Sequence, residues 1–78
     1  MRFNKINYQI GNFLKSSRIK NNLTRSIVAL KLGVDVEFVV NIEDGKQSFS
    51  SKILNKVLEA YKIEYLEFNS FFNKHYIG

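Results

Sequence analysis

Apolar residues recur along the chain at intervals of three and four, the period of an α-helix, and alternation of the kind that builds strands is not sustained anywhere. Ile6, Ile10, Phe13, Leu14 and Ser17 share one helical face, which predicts a helix over 8–21 closed by the turn signal Asn21-Asn22. Thr24 can cap a second helix, 24–32, with Val28, Ala29 and Leu32 inward and Gly33 supplying the left-handed residue beyond its end. Asp35 caps a third, 35–44, with Val39 and Ile42 inward and Gly45 ending it. Ser50 can cap a fourth, 50–61, on which Ile53, Leu54, Val57, Leu58 and Tyr61 form one stripe. A last helix, 65–75, sets Tyr65, Phe68, Phe72 and Tyr76 at spacings of three and four. The expected fold is all-α: a compact five-helix domain over 1–78, with 1–7 an N-terminal arm and 65–78 an aromatic C-terminal element. No proline, repeat or linker interrupts it.

Length narrows what can hold such a domain together. A chain of 78 residues buries only about 60% of its unfolded surface, so its core is marginal unless something adds to it. There is no cysteine and a single histidine, His75, which removes disulfides and thiol or zinc sites. Oligomerisation is the remaining source of burial. The apolar runs are a few residues long, far short of the ~20 of a membrane span, and no signal peptide is evident, so a cytoplasmic protein without a membrane partner is expected.

Charge is segregated. Residues 1–33 hold seven bases and no acid, whereas 34–78 hold five lysines against seven acids. A basic half attracts a polyanion at long range. Asn, Lys and Ile are abundant throughout, as an AT-rich genome would dictate, so the segregation carries more weight than the total. Catalysis finds no footing. Glu43 and Asp44 are neighbours on a helix and diverge, His75 has no nucleophile at a suggestive spacing, and there is no glycine-rich phosphate loop or metal cluster. No catalytic residue, cofactor or metal is expected.

Helices two and three are joined by Gly33-Val34, the arrangement of a helix-turn-helix whose second helix can enter a groove. The stretches IGNFLKSSR, LTRSIVALKLGV, VVNIEDGK and SKILNKVLEAYKI, in that order and spacing, resemble the phage-repressor and Cro type of helix-turn-helix DNA-binding domain. The likeness covers residues 10 to about 68. It implies that Arg18 and Glu43 form a partly buried pair tying helix one to the end of helix three. It implies that Thr24 and Arg25, at the start of helix two, and Lys46 and Ser48, in the loop after helix three, contact DNA backbone. Val36, Glu37, Val40 and Asn41 match the base-reading face, and Phe38 sits where an aromatic is common. Relatives of this length commonly dimerise through the last helix, which here assigns Tyr65, Phe68, Phe71, Phe72 and Tyr76 to a homodimer seam on double-stranded DNA.

The chain departs from this pattern in two respects. Its reading face is short of donors, although Asn41 can pair with adenine N6 and N7, Glu37 can accept from cytosine N4, and either valine can pack on a thymine methyl. Ile27 and Leu30 stand where the family is normally polar. Two functions are therefore weighed: a dimeric repressor on a near-palindromic operator, or the same fold used as a protein-binding module (an antitoxin, an antirepressor or a partner protein in a mobile element). Acids on helix three and the apolar positions 27, 30, 36 and 40 favour the second.

Overall fold

The structure, a computed structural model, describes residues 5–74. Five α-helices follow one another: α1 Lys5–Lys20, α2 Arg25–Leu32, α3 Val36–Glu43, α4 Leu54–Ala60 and α5 Tyr65–Phe72, with a 3-10 turn Ser51–Ile53 leading into α4. No strand occurs among the described residues. His75 and Tyr76, and the first four residues of the expected arm, lie outside them.

The helices stop for local reasons that the backbone makes plain. α1 to α4 end in the same motif, in which a left-handed residue lets the next amide reach back to a carbonyl one turn earlier. Leu23 donates to Arg18 O at 2.9 Å, Val34 to Ala29 O at 3.0 Å, Lys46 to Asn41 O at 3.0 Å and Ile63 to Leu58 O at 2.8 Å. The left-handed residues are Asn22, Gly33, Gly45 and Lys62. At the other ends, Thr24 Oγ1 accepts from the Ile27 amide at 3.1 Å and Asp35 Oδ1 from the Phe38 amide at 3.0 Å. Both expected caps are in place.

Leu14, Val28, Val39, Val57 and Tyr61 are buried completely, one from each of α1 to α3 and two from the α4 segment, and Phe68 of α5 closes the cluster. Their convergence puts α2 and α3 side by side with α1 crossing behind. α1 can approach α3 this closely because of Gly11. A β-carbon there would stand 2.6 Å from the Glu43 carbonyl oxygen and would overlap that of Ile42.

Three sequence expectations need correction. α1 begins at Lys5 rather than Tyr8, so residues 5–7 are helix and not arm. Its first turns have a tertiary support that periodicity does not reveal. Gly45 packs its α-carbon so closely on Tyr8 that an added β-carbon would lie 2.7 Å from Tyr8 Cα. Ile6 is 51% exposed instead of inward; at 100° per residue it lies about 80° around the helix from Leu14, at the edge of the stripe. Ser50 precedes a 3-10 turn rather than an α-helix and makes no capping hydrogen bond. The tighter winding lets the adjacent Ile53 and Leu54 both pack against the core.

Candidate nucleic-acid interface

α3 has two chemically distinct sides. Val39, Ile42 and Glu43 are buried, whereas Val36 and Glu37 are exposed and Val40 and Asn41 half-buried on the opposite side. The four residues expected to read bases thus share the side turned away from the core. Thr24, Lys46 and Ser48 are exposed on the flanking segments, Thr24 immediately before α2 and the other two in the loop after α3. Asp44, the one acid of α3 with no evident task, caps its C-terminal end and is exposed.

The expected Arg18–Glu43 pair is present, and it is the core of something larger. Arg18 Nε donates to Glu43 Oε2 at 2.8 Å and its Nη2 to Oε1 at 3.1 Å, while Nη1 donates to Leu23 O at 3.0 Å. Arg25 Nε donates to Glu43 Oε1 at 3.2 Å, and the Tyr61 hydroxyl donates to Oε2 at 2.8 Å. One buried carboxylate therefore joins α1, α2, α3 and the end of α4. A charge removed from water this completely survives only when its lone pairs are filled by donors, and here they are. Burial, and then the hydrogen bond to Glu43, push the Tyr61 phenol well above its ordinary 10.0, because ionising it would put a second anion against the carboxylate.

Arg25, expected at the DNA backbone, has a side chain 36% exposed and tied to Glu43 through Nε. Tyr61, which periodicity alone places in the core stripe, is a further member of the site. The signal was available: a buried tyrosine needs a hydroxyl partner, and it stood in an otherwise aliphatic row.

The rings of α5 also make contacts within the chain. Phe68 is buried in its own core, edge-on to Phe13 at 6.0 Å and beside Phe72 at 6.0 Å, and Phe71 stacks on Phe13 at 4.4 Å. These rings serve first to dock α5 on α1, because Phe13 on the flank of the α1 stripe offers them an aromatic partner. Tyr65 and Leu66 are what α5 leaves out, 59% and 75% exposed. Beside them a groove of about 500 Å³, lined by Ile10, Phe49, Leu54, Tyr65 and Phe72 among others, separates α5 from α1 and the loop after α3. On α2, Ile27 is exposed and Leu30 is 81% exposed. Among the described residues no group of acidic, histidine or cysteine side chains could hold a metal, and no helix is long and apolar enough to cross a membrane.

Two short helices at a glycine turn, capped by Thr24 and Asp35 and locked to α1 by a buried Arg–Glu pair, define a helix-turn-helix domain. A helix-turn-helix family profile matches residues 14–68, and the chain belongs to that family, of the phage-repressor and Cro type. By that membership it is a DNA-binding transcription regulator. Among solved structures it is similar to a mutant form of the restriction-modification controller protein C.Esp1396I, with a TM-score of 0.82 at 18% identity over 94% of this chain and 92% of that one. The tetramer of C.Esp1396I in complex with its natural 35 base-pair operator gives 0.79 at 17% identity, covering 91% and 93%. The controller protein C.AhdI from Aeromonas hydrophila gives 0.74 at 25% identity, covering 82% and 97%. No curated protein sequence matches the chain.

Proposed function

We propose that the chain is a sequence-specific repressor that binds a near-palindromic operator as a homodimer in the cytoplasm, without enzymatic activity. The observation that carries this is the outward side of α3: Val36, Glu37, Val40 and Asn41 face away from the core on a helix that a buried carboxylate holds in fixed orientation. A reading helix must be rigid, because each base contact depends on placement to within a hydrogen bond's length. In this reading Asn41 pairs with an adenine edge, the valines meet thymine methyls, and Thr24, Arg25, Lys46 and Ser48 grip backbone phosphates, which supply most of the affinity.

Dimerisation supplies the second half-site. The described residues measure 34 × 32 × 23 Å, so two copies side by side set their α3 helices about one DNA turn apart, ~34–36 Å. The surface proposed for this contact is the one α5 leaves apolar: Tyr65 and Leu66 beside the groove floored by Leu54 and Phe72. A projecting leucine next to an apolar hollow can meet its own copy across a two-fold axis. The operator-bound C.Esp1396I assembly, a tetramer, supports an oligomeric arrangement.

Leu30 favours a second reading. A leucine 81% exposed on α2, with Ile27 exposed one turn before it, suits a protein contact better than a phosphate contact. Selection of bound sequences from random duplex DNA separates the two. A palindromic consensus with salt-dependent affinity supports the repressor; no enrichment and no salt-dependent shift of duplex DNA refutes it in favour of a protein-binding module.

A further inference from the structure

We infer that Arg25 is a two-pronged phosphate clamp whose aim is set from inside the protein by the buried Glu43 carboxylate, so that Glu43 is a positioning residue for DNA binding. This rests on the DNA-binding reading and deepens it. Arg25 is the first residue of α2, whose first turn holds no acid. A helix N-terminus is its positive end, which disfavours a cation and attracts an anion. Glu43 supplies part of the missing negative charge, reaching Arg25 Nε at 3.2 Å. It supplies only part, because the same carboxylate also neutralises Arg18 at 2.8 Å. Two guanidiniums face one carboxylate, and the surplus positive charge lies on the outer one, whose side chain is 36% exposed while that of Glu43 is fully buried.

Geometry then decides what the surplus can do. A guanidinium is a rigid plane with donors in a fork. Fixing Nε against a buried partner fixes that plane and leaves the two terminal nitrogens, which make no hydrogen bond to the described residues. Two parallel N–H groups match two oxygens of one phosphate. The rotamer freedom that an exposed arginine surrenders on binding is here given up on folding, so binding loses less of it. Lysine at this position would have one point charge to divide between Glu43 and the phosphate.

The experiment titrates fluorescent duplexes of pooled random sequence with wild type, Arg25→Lys and Arg25→Ala over a range of salt, with circular dichroism to confirm that each is folded. Arg25→Lys keeps the charge and loses the fork, so affinity falls about tenfold, the factor for one charge-assisted hydrogen bond, while the salt slope is unchanged. Arg25→Ala falls at least as far and lowers the slope by about 0.9. In spectra of the free wild type the Arg25 Nε–H signal is protected from exchange, and it stays so on adding DNA while the terminal N–H signals shift. Arg25→Lys binding like wild type, or loss of the Nε–H signal in the complex, overturns the clamp while leaving DNA binding intact. A wild type that shows no salt-dependent binding brings down the reading beneath it instead.

Discussion

Replacing Gly11 with alanine gives a test in which two ordinary rules predict opposite signs. In a helix interior the change normally stabilises, by about 1 kcal/mol, because glycine surrenders more backbone freedom on folding. Here the new methyl would sit 2.6 Å from the Glu43 carbonyl oxygen and 2.9 Å from its carbon, where ordinary van der Waals contact begins at 3.4 Å. Those atoms are backbone and cannot rotate aside, so α1 and α3 must separate by at least roughly 0.8 Å, the gap between 2.6 and 3.4 Å, and further to clear the nearer Ile42 carbonyl oxygen. Overpacking costs ~1–3 kcal/mol, and a clash with backbone belongs at the upper end. Set against the propensity gain of about 1 kcal/mol, the net destabilisation is about 2 kcal/mol. Urea denaturation followed by far-ultraviolet dichroism reads it as a fall in midpoint of about 0.7–2 M, given a slope of ~1–3 kcal/mol per molar. Asn12→Ala, at an exposed position one residue along the same helix, controls for propensity and is expected to be neutral or stabilising. A Gly11→Ala protein as stable as wild type refutes the close crossing of α1 and α3, and with it the frame that sets α3.

Other parts of the structure are open to similar tests. Tyr61→Phe removes one hydrogen bond to a charged, buried group and costs ~1.5–3 kcal/mol in the same denaturation assay. The unfolded phenol ionises near 10.0 while the folded one is held protonated well above that; above pH 10 the unfolded state therefore binds fewer protons, and wild-type stability, complete below that pH, falls by up to ~1.4 kcal/mol per pH unit, a component absent from Tyr61→Phe. Asn41→Ala leaves the fold intact and costs ~1–3 kcal/mol at one base pair per half-site, read by competition among operator variants; unchanged preference removes α3 from the reading role. Phe68→Ala, buried in the core, destabilises the domain by ~3–5 kcal/mol, whereas Leu66→Lys, mostly exposed, leaves the monomer folded and abolishes concentration-dependent sedimentation if α5 forms the dimer contact.

α2 and α3 were legible because each carries its own punctuation. Thr24, Gly33, Asp35 and Gly45 act on backbone within a few residues of themselves, so the residue type alone states the role. Lys62 takes the same left-handed conformation as Gly33 yet gives no such sign, since lysine is common on any exposed helix end. Its conformation is enforced from a distance, where Asn21 Nδ2 donates to the Tyr61 and Lys62 carbonyls at 3.0 and 3.3 Å. The Arg18–Glu43 pair spans 25 positions and came from resemblance, not from any local pattern. Aromatic spacing in α5 showed that rings line the helix but not what they meet. Phe13, on the flank of α1, takes up Phe68 and Phe71, and only the folded chain brings them together. Gly11 was the missed signal, because a glycine inside a helical pattern usually marks a close approach.

Three of the four acids at α3, all but the exposed Asp44, lose their apparent contradiction once their surroundings are known. A recognition helix with Asp35, Glu37, Glu43 and Asp44 and no base would repel phosphates if all four carboxylates faced them. Asp35 is occupied with the Phe38 amide, and Glu37 lies in the first turn, where the helix dipole favours it. Glu43 is not on the surface at all; it collects Arg18, Arg25 and Tyr61 beneath it. Its negative charge is directed inward, and the two guanidiniums it gathers leave the net charge of the cluster positive on the side toward α2. The helix reads as acidic while its one buried acid gathers an arginine from each of the neighbouring helices α1 and α2. On the proposed reading, affinity for a polyanion depends on charges that α3 organises and does not itself carry. α3 is then left free to present valines and Asn41 to the bases, so that grip and reading fall to different helices held together by one carboxylate.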